Sequence, residues 1–436
     1  MKEFYGICRV MIGKKQAVQS MKLGLVILLL TLLPLPSVQA TTPLDVLHWW
    51  TSPGEHRAAE VLRQDLLQHS VIWQDHAVPG GGGDSAMAVL KAQVIAGSPP
   101  DVAQIIGPNI GEWANLGYLQ PLDEWTANWP DDWHRTLDEL TRFNGERVAV
   151  PISIHRINWM WLNPQVYQEL GLSLPTSWSQ IMRDAETLRD AGITPLAHGG
   201  QPWQVATLFE TLLLSVGGPE FYRDYFVYRT PEALADSRVE EALHLLRDLK
   251  TLMDDEMQNR EWQEASRMVI EGEAAMQIMG DWVKGEFVAH SMEAGQDFLC
   301  MPVPGTAQHH LYSVDTFVFF QREDDETRAA QARFAEGIMD SNTQRLFSLQ
   351  KGTIPARADL SLAGFDDCAQ TSAHVFREAE ATGLLAPSMA HSMATTPGVE
   401  SALFHVLHRF FRDDDIPVTT AREQMARVLG ALRDHE

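Results

Sequence analysis

The sequence predicts an α/β protein built as two lobes, and three observations support that fold class. Short apolar segments with the character of strands alternate with longer amphipathic helices along most of the chain. The 436 residues correspond to two or three domains of roughly 150 residues, or to two large lobes. The chain contains no internal repeat, low-complexity tract or Gly/Ser-rich linker. Two lobes joined by several crossing strands fit such a chain, and the crossings would act as hinges for closure around a ligand.

The first part of the chain sets the pattern of strand followed by helix. We predict strands at 46–50, 72–78 and 101–106, with helices at 55–69 and 86–95 between them. Asp84 and Ser85 have side chains that cap a helix N-terminus, and Pro99 and Pro100 end that helix. Strands that alternate with helices indicate βαβ units, so we expect a mostly parallel sheet.

The remaining elements continue the alternation, with longer helices. An apolar stretch at 148–150 is expected to end at Pro151. Further strands are predicted at 158–162, 274–279 and 313–321, and helices at 175–191, 206–249, 262–271 and 325–339. The C-terminal segment is also predicted to be helical.

The first 40 residues are predicted to be a cleaved export signal. Basic residues that include Lys22 precede an apolar run at 23–33, which is too short to span a bilayer comfortably. Val38-Gln39-Ala40 is a small-x-small cleavage site, so the mature chain is expected to begin at Thr41. Met21 is an alternative start that gives a more compact signal. We therefore expect a soluble protein in the periplasm, without a lipid anchor.

Charge and cysteine content narrow the class of protein further. The formal net charge is −24, which argues against binding to nucleic acid or to anionic lipid. Cys8 leaves with the export signal, so Cys300 and Cys368 remain. Export permits a disulfide between them, but the sequence does not show whether their α-carbons lie close enough, and both states stay open.

Three predicted strands end in residues suited to binding a small ligand. They are Trp49-Trp50, Gln104 and Asp281-Trp282. Ligands of open parallel sheets bind outside the carboxyl ends of the strands, so these residues are candidates for one site. Neighbouring residues of a strand point to opposite faces, so we expect one of Trp49 and Trp50 to stack on the ligand while the other supports it. The alternative for each ring is a place in the core.

Signatures of catalysis and of metal binding are missing from the sequence. The glycines at 80–83 lack the GK[ST] of a P-loop, and His309-His310 lacks the spacing of metal ligands. Asp413-Asp414-Asp415 lacks the glycine and spaced acids of an EF-hand, and no GxSxG segment occurs. We expect a protein that is not an enzyme and that needs no cofactor. A pair of carboxylates for glycoside hydrolysis keeps an exported carbohydrate-active enzyme as an alternative.

Three segments carry a resemblance to a known family. They are the run from Glu271 to Trp282, the turn Lys351-Gly352-Thr353-Ile354-Pro355-Ala356-Arg357 and the tripeptide Pro100-Asp101-Val102. Together they resemble the extracellular solute-binding proteins of carbohydrate ABC transporters, in the maltodextrin-binding-like group. The resemblance extends over essentially the whole mature chain. It implies the two-lobe fold of class II periplasmic binding proteins, with the ligand in the cleft between the lobes.

Within that family the chain is most similar to the glucose/mannose-binding branch. The segments that carry this likeness are 49–55, 155–159, 200–204, 315–317 and His391. The resemblance implies that tryptophans stack on a hexose while polar side chains bind its hydroxyls. The implied ligand-binding residues are Trp49, Trp50, Glu55, Gln104, His155, Trp282, Asp315, Lys351 and His391. For His155 the alternative is a satisfied core histidine.

The resemblance also implies a lobe division, a function and a partner. The N-terminal lobe is expected to hold 41–150 and about 311–350, and the C-terminal lobe about 151–310 and 351–436. The expected function is to bind glucose or a related hexose as a monomer and to deliver it to the transmembrane subunits of an ABC permease. A sensor kinase is the alternative partner. Ile106 stands where the glucose-binding branch often has Lys or His, which leaves room for another hexose, a polyol or a glucoside.

Overall fold

The computed structural model describes residues 41–431, apart from 81, 82, 128 and 130–132. The export signal predicted in residues 1–40 lies outside the described residues. Among the described residues, no helix combines the length and the apolar character needed to cross a membrane.

The larger of two main sheets has seven strands. Its strand order is β12-β6-β11-β3-β1-β2, and β13 pairs with β11. The bounds are β1 Thr42–His48, β2 Val71–Ala77, β3 Val102–Gln104, β6 Ala149–Arg156, β11 Leu311–Phe319, β12 Ile354–Pro355 and β13 Ala386–Pro387. Strands β1, β2 and β3 are parallel, whereas β11 runs antiparallel to both β3 and β6. The expectation of a mostly parallel sheet is therefore wrong for β6, β11 and β12, whereas β13 is parallel to β11.

The second sheet has four strands in the order β10-β7-β9-β8. Their bounds are β7 Trp159–Leu162, β8 Thr194–Ala197, β9 Ala274–Ile278 and β10 Leu299–Pro302. Only β8 and β9 are parallel. A separate hairpin consists of β4 Arg142–Phe143 and β5 Glu146–Arg147. We call the parts of the chain built on the two main sheets the large-sheet lobe and the small-sheet lobe.

Helices cover these sheets and connect their strands. The first eight are α1 Pro53–Gln68, α2 Asp84–Ile95, α3 Asn109–Asn115, α4 Asp123–Thr126, α5 Arg135–Leu140, α6 Pro164–Glu169, α7 Trp178–Asp190 and α8 Pro202–Phe226. The others are α9 Pro231–Leu234, α10 Arg238–Lys250, α11 Trp262–Ile270, α12 Val283–Ala289, α13 Asp325–Met339, α14 Ser341–Lys351, α15 Asp367–Thr382, α16 Pro397–Arg412 and α17 Val418–Gly430. A 3₁₀ helix lies at Asp255–Asn259.

Strands β6 and β11 are inner strands of the large sheet, and every residue of both is buried. Burial on both faces is in keeping with the apolar stretches 149–152 of β6 and 317–319 of β11. Contrary to the sequence prediction, the chain does not leave the sheet at Pro151, because β6 continues through it. The register with β11 shifts there, since Thr316 pairs with Pro151 and Asp315 with Ser153. Strand β6 also spans the predicted lobe boundary at residue 150, and the division of the chain between lobes stays a prediction.

A disulfide joins Cys300 to Cys368, with their α-carbons 5.9 Å apart. Cys300 lies on β10 of the small sheet. Cys368 lies at the start of α15, whose apolar face packs with Ile354 and Val314 of the large sheet. The bond therefore joins a strand of the small sheet to a helix that packs on the large sheet. Of the two cysteine states that the sequence leaves open, the structure has the disulfide.

Candidate functional site

A cavity of about 290 Å³ lies where elements of the two lobes meet. The large-sheet lobe contributes the residues that follow β1, one face of β11 and the end of α14. The small-sheet lobe contributes the first turns of α8 and α11 and the residue before α12. This volume is near the lower end of the range for small-molecule sites, which begins at roughly 300 Å³. The cavity is therefore of a size for a compact ligand.

The wall of this cavity includes the residues that the sequence predicts for the site, except Gln104 and the strand-end candidate Asp281. These residues are Trp49, Trp50, Glu55, His155, Trp282, Asp315, Lys351 and His391. Gln104 is fully buried behind the wall because β3 is an inner strand of the large sheet. Its side-chain amide donates to Asp315 Oδ1 at 2.8 Å, and its carbonyl oxygen accepts from the Trp49 backbone N–H. Gln104 thus positions two wall residues, and the role of the wall residues in binding stays a prediction.

The polar side of the cavity is organised around His155, whose ring lies between two carboxylates. Nδ1 is 2.6 Å from Asp281 Oδ1, and Nε2 is 2.9 Å from Asp315 Oδ2. Burial lowers the pKa of His155, but the two negative charges and their hydrogen bonds outweigh it and raise the pKa to about 9. The ring is therefore a doubly protonated imidazolium at neutral pH, and it donates to a carboxylate of each lobe.

Asp315 is ionised in spite of its burial. Burial raises the pKa of this carboxyl, but the charge and hydrogen bond of His155, the charge of Lys351 and the amide of Gln104 together hold the pKa below its ordinary value. The register between β6 and β11 shifts next to Asp315, and irregular pairing of this kind redirects side chains next to sites. Asp315 thus presents a fixed acceptor at the cavity wall.

A second charged pair closes the wall beside Asp315. Lys351 Nζ lies 2.6 Å from Glu55 Oε1, and both side chains are largely buried. Glu55 is held because its other oxygen accepts from the backbone N–H groups of Thr51 and Ser52 in the capping box of α1. Lys351 is the last residue of α14, which ends at Gly352 with φ 93°. A Cβ at Gly352 would lie 2.5 Å from the Asp281 carbonyl oxygen, so only glycine permits this close packing.

The apolar side of the cavity consists of aromatic rings from the small-sheet lobe. Trp282 packs against His391 with ring centroids 4.9 Å apart, and against His155 at 5.5 Å. Trp203, in the first turn of α8, lies 6.4 Å from Trp282. Trp262 begins α11 and completes this side. Indole faces of this kind cover the flat apolar surface of a ligand ring.

His391 adds a neutral acceptor to the aromatic side. Burial and the nearby positive charge of His155 lower its pKa to about 3, so the ring is uncharged at neutral pH. The Thr207 hydroxyl donates to the Trp203 carbonyl oxygen at 2.8 Å and lies 3.1 Å from His391 Nε2. Because that hydroxyl has one hydrogen, we infer that Nε2 carries the ring proton and that Nδ1 is the acceptor.

The paired tryptophans follow β1 rather than ending it, and they have different surroundings. Trp50 is fully buried, and its ring packs on Phe317 and Phe347 with centroids 5.5 and 5.1 Å away. Trp49 keeps 9% of its surface exposed. The expectation that one ring stacks on the ligand while the other supports it stays a prediction. Trp49 is the ring with exposed surface.

Sequence reasoning missed several wall residues of the cavity. They include Trp203, Glu261, Trp262, Gln263 and Ser313. For Trp203 the sequence contains an indication, since Pro202 marks the first turn of a helix whose N-terminus faces the site. Ser313 could also be identified, because it precedes Asp315 by two residues on β11 and so lies on the same face of the strand. For Trp262 the sequence indicates only the start of a helix.

A buried carboxylate behind the cavity holds the segment that carries His391. Glu210 of α8 accepts from the Ser388 hydroxyl at 2.6 Å, the Tyr222 hydroxyl at 2.8 Å and the Met389 backbone N–H at 2.6 Å. Burial raises the pKa of Glu210 to about 7, although these donors lower it. Glu210 therefore acts as an anchor for this segment and does not line the cavity.

The arrangement as a whole matches a ligand with a flat apolar face and a rim of hydroxyls. Aromatic rings cover the face, while an ionised acceptor, a cationic donor and a neutral imidazole meet the rim. Within the part of the chain that the structure describes, no group of three or more His, Cys, Asp and Glu side chains could hold a metal ion.

Comparison with known proteins gives consistent matches. Residues 76–332 match the family model described as bacterial extracellular solute-binding protein. A probable sugar-binding periplasmic protein of Brucella suis is 38% identical over 408 residues, which cover 93% of this chain and 96% of that protein. Among solved structures, a chitin oligosaccharide binding protein superposes with a TM-score of 0.73 at 18% identity, over 90% of this chain and 98% of that one.

A second solved structure extends this comparison. It is a bacterial solute receptor described as having an exclusive preference for β-D-galactopyranose. It superposes with a TM-score of 0.72 at 17% identity, over 91% of this chain and 98% of that one. At such identities the likeness concerns the fold. The two-lobe α/β fold predicted from the sequence is confirmed.

Proposed function

Since this chain belongs to the bacterial extracellular solute-binding proteins, we propose that its cavity binds one hexose ring, of the glucose type, for delivery to a membrane permease. The protein is a sugar-binding periplasmic component of an ABC transporter, and it is not an enzyme. The identity of the sugar is the new element of the proposal.

One observation carries this proposal, namely that aromatic rings and an ionised Asp315 line the same cavity. A pyranose has an apolar C–H face that an indole such as Trp282 covers, which contributes about 0.5–1.5 kcal/mol beyond the buried area if it behaves like other aromatic contacts. Its hydroxyls need partners in the cavity, because each one buried without a hydrogen bond costs roughly 1–3 kcal/mol. A cavity of about 290 Å³ suits one such ring.

The polar rim supports recognition of hydroxyl orientation. Asp315 accepts from neighbouring hydroxyls, Lys351 donates, and His391 Nδ1 accepts. A sugar with one hydroxyl inverted would leave one of these groups unpaired, and buried groups left unpaired are the strongest basis for discrimination. Ile106 supplies no polar group to this rim, which favours a hexose that directs no hydroxyl at this position.

Isothermal titration calorimetry of the purified protein tests the proposal. We expect 1:1 binding of a hexose with a dissociation constant in the micromolar range or below, and weaker binding of pentoses and linear polyols. Trp282→Ala should weaken that binding about 30-fold, equivalent to about 2 kcal/mol. Trp178→Ala is the matched control, since Trp178 packs on the small-sheet core away from the cavity.

The absence of heat with every mono- and disaccharide tested would contradict sugar binding at this cavity. Tighter binding of a polyol than of any hexose would contradict the hexose assignment alone.

A further inference from the structure

Helix α12 of the small-sheet lobe contacts the N-terminus of α1 in the large-sheet lobe. Glu286 of α12 is 3% exposed, and its Oε1 accepts from the Gly54 backbone N–H at 2.9 Å. Burial raises the pKa of this carboxyl, and hydrogen bonds with Ser52 and Gly54 act against that rise. The first backbone N–H groups of a helix have no partner within it and attract negative charge. Glu286 thus satisfies, from one lobe, a helix end of the other.

Glycines let the backbones of the two lobes meet at this contact. A Cβ at Gly54 would lie 2.6 Å from the carbonyl carbon of Gly285 and 2.8 Å from Glu286 Oε1. A Cβ at Gly285 would lie 3.1 Å from the carbonyl oxygens of Gln350 and Lys351, in the last turn of α14. Because an added methyl group at Gly54 would overlap the backbone of α12, the two helices would have to move apart to accept it.

A second contact of α12 involves the opposite charge. Lys284 Nζ lies 3.0 Å from the carboxylate of Asp366, and the lysine side chain is 4% exposed. Asp366 caps α15 by accepting from the Ala369 backbone N–H at 2.9 Å, and α15 packs with Ile354 of the large sheet. An anion and a cation of α12 thus each contact the start of a helix that packs on the large sheet.

The contact between α1 and α12 is adjacent in the chain to the cavity wall. Gly54 precedes Glu55, and α12 follows Trp282, and both of these neighbours line the cavity. Since the two wall residues come from different lobes, a ligand enclosed between them requires α1 and α12 to be close together. A contact that exists only in that arrangement raises its population, and with it the affinity for the enclosed ligand.

We propose that Glu286 is an interlobe latch, a positioning residue that slows the release of the sugar without touching it. The inference rests on the proposed function of the cavity. Glu286 does not line the cavity wall, so it acts through the arrangement of the lobes. Its carboxylate binds the N-terminus of α1 when the lobes enclose the sugar, and water solvates both groups when the lobes separate. Loss of the latch therefore speeds release and leaves the entry of the sugar unchanged.

Two substitutions test the latch from its two sides. Glu286→Ala removes the acceptor, and alanine keeps the helix propensity of α12. Its matched control is Glu240→Ala, because Glu240 pairs with Arg422 at 3.1 Å between two helices of the small-sheet lobe itself. Gly54→Ala inserts a methyl group where the backbone of α12 lies. Its matched control is Gly398→Ala, since Gly398 also follows the proline that begins a helix and a Cβ there would meet open space.

Stopped-flow measurement of tryptophan fluorescence, with glucose, mannose and galactose as probes, separates the association rate from the release rate. We expect Glu286→Ala and Gly54→Ala each to increase the release rate about five-fold or more and to leave the association rate within about two-fold. Urea unfolding without sugar checks that both variants are folded. The controls Glu240→Ala and Gly398→Ala should change neither rate.

Two results would overturn the latch and leave the proposed function intact. One is an unchanged release rate in both Glu286→Ala and Gly54→Ala, whether or not their free energy of unfolding falls. The other is a slower association that accounts for the whole loss of affinity, because a latch acts after the sugar has entered. Failure of the unmodified protein to bind any of the three sugars would instead overturn the proposed function, and the latch with it.

Discussion

Two buried carboxylates near the cavity, Asp315 and Glu210, have opposite pKa shifts. Both lose most of their contact with water, and both accept several hydrogen bonds. Burial is the largest influence on each and acts to raise the pKa. For Asp315 the charges of His155 and Lys351 reverse that effect, whereas for Glu210, which has only neutral donors, the pKa rises to about 7.

The difference shows that a neighbouring cation, more than the number of hydrogen bonds, decides whether a buried acid is ionised. An ionised acid in a cavity is a strong acceptor for ligand hydroxyls. An acid that takes up a proton near neutral pH is better suited to hold a segment of chain in place. We expect four experiments to separate the two roles, in descending order of effect.

Asp315→Asn should have the largest effect on binding. The amide keeps the size of the side chain but removes its charge. His155 then contacts only one carboxylate, that of Asp281, and the ligand hydroxyls meet a weaker acceptor. We expect a loss of sugar affinity of 100-fold or more, about 3 kcal/mol, measured by calorimetry on protein shown by circular dichroism to be folded. Asp325→Asn, at a fully exposed side chain, is the control. Unchanged affinity in Asp315→Asn would remove Asp315 from the binding site.

Glu210→Gln should change the pH dependence of stability. The pKa of Glu210 is about 7 in the folded protein against an ordinary value of 4.5, so the folded state holds its proton more tightly than the unfolded state does. The contribution of Glu210 to the free energy of unfolding is therefore complete below pH 4.5. It decreases by roughly 3 kcal/mol as the pH rises to about 7. Urea unfolding at pH 4.5, 5.5 and 7 should show a shallower decline in the variant. An identical decline in both proteins would contradict the role assigned to Glu210.

His155→Gln should also change the pH dependence of stability, but at higher pH than Glu210→Gln does. The pKa of His155 rises from 6.5 to about 9 on folding, so its contribution is complete below pH 6.5 and is lost as the pH increases to about 9. We expect the unmodified protein to lose roughly 3 kcal/mol across that window, and the variant to be less stable at pH 6.5 and to lose much less above it, since only Glu210 then titrates near pH 7. Urea unfolding at pH 6.5, 7.5 and 9 measures both. A variant that kept the full decline would show that another group causes it.

Ser388→Ala should have the smallest effect. It removes one neutral donor to Glu210 and leaves the other donors in place, so we expect a loss of about 1 kcal/mol of stability. Sugar affinity should stay within about three-fold, because the hydroxyl does not line the cavity. Thermal unfolding and calorimetry together check this. A loss of affinity as large as that of Asp315→Asn would mean that the Glu210 anchor and the cavity cannot be separated.

The sequence was informative where function depends on local pattern. Asp281-Trp282 stands out as an acid beside an aromatic ring at a predicted strand end, and the segment 315–317 carries a resemblance to a known family. Both patterns are visible in a few consecutive residues. The capping box that orients Glu55 is local in the same way. Trp282, Asp315 and Glu55 lie at the cavity wall as their positions on strands and helices suggest.

The pairings between distant residues were not predictable. Gln104 and Asp315 are 211 positions apart, and no periodicity shows that β3 and β11 are neighbours or that they run antiparallel. The sequence therefore assigns Gln104 to the ligand, and the fold adds its hydrogen bond to Asp315. The disulfide likewise depends on the distance between two α-carbons, which is a property of the folded chain.

The Cys300–Cys368 disulfide has a consequence for a protein exposed to extracellular proteases. The covalent loop that it closes contains both Asp315 and Lys351. A single cut between residues 301 and 367 would leave two fragments that are still bonded to each other. The nicked molecule would keep all the side chains of the cavity in one covalent assembly, and only cleavage together with reduction would release a fragment.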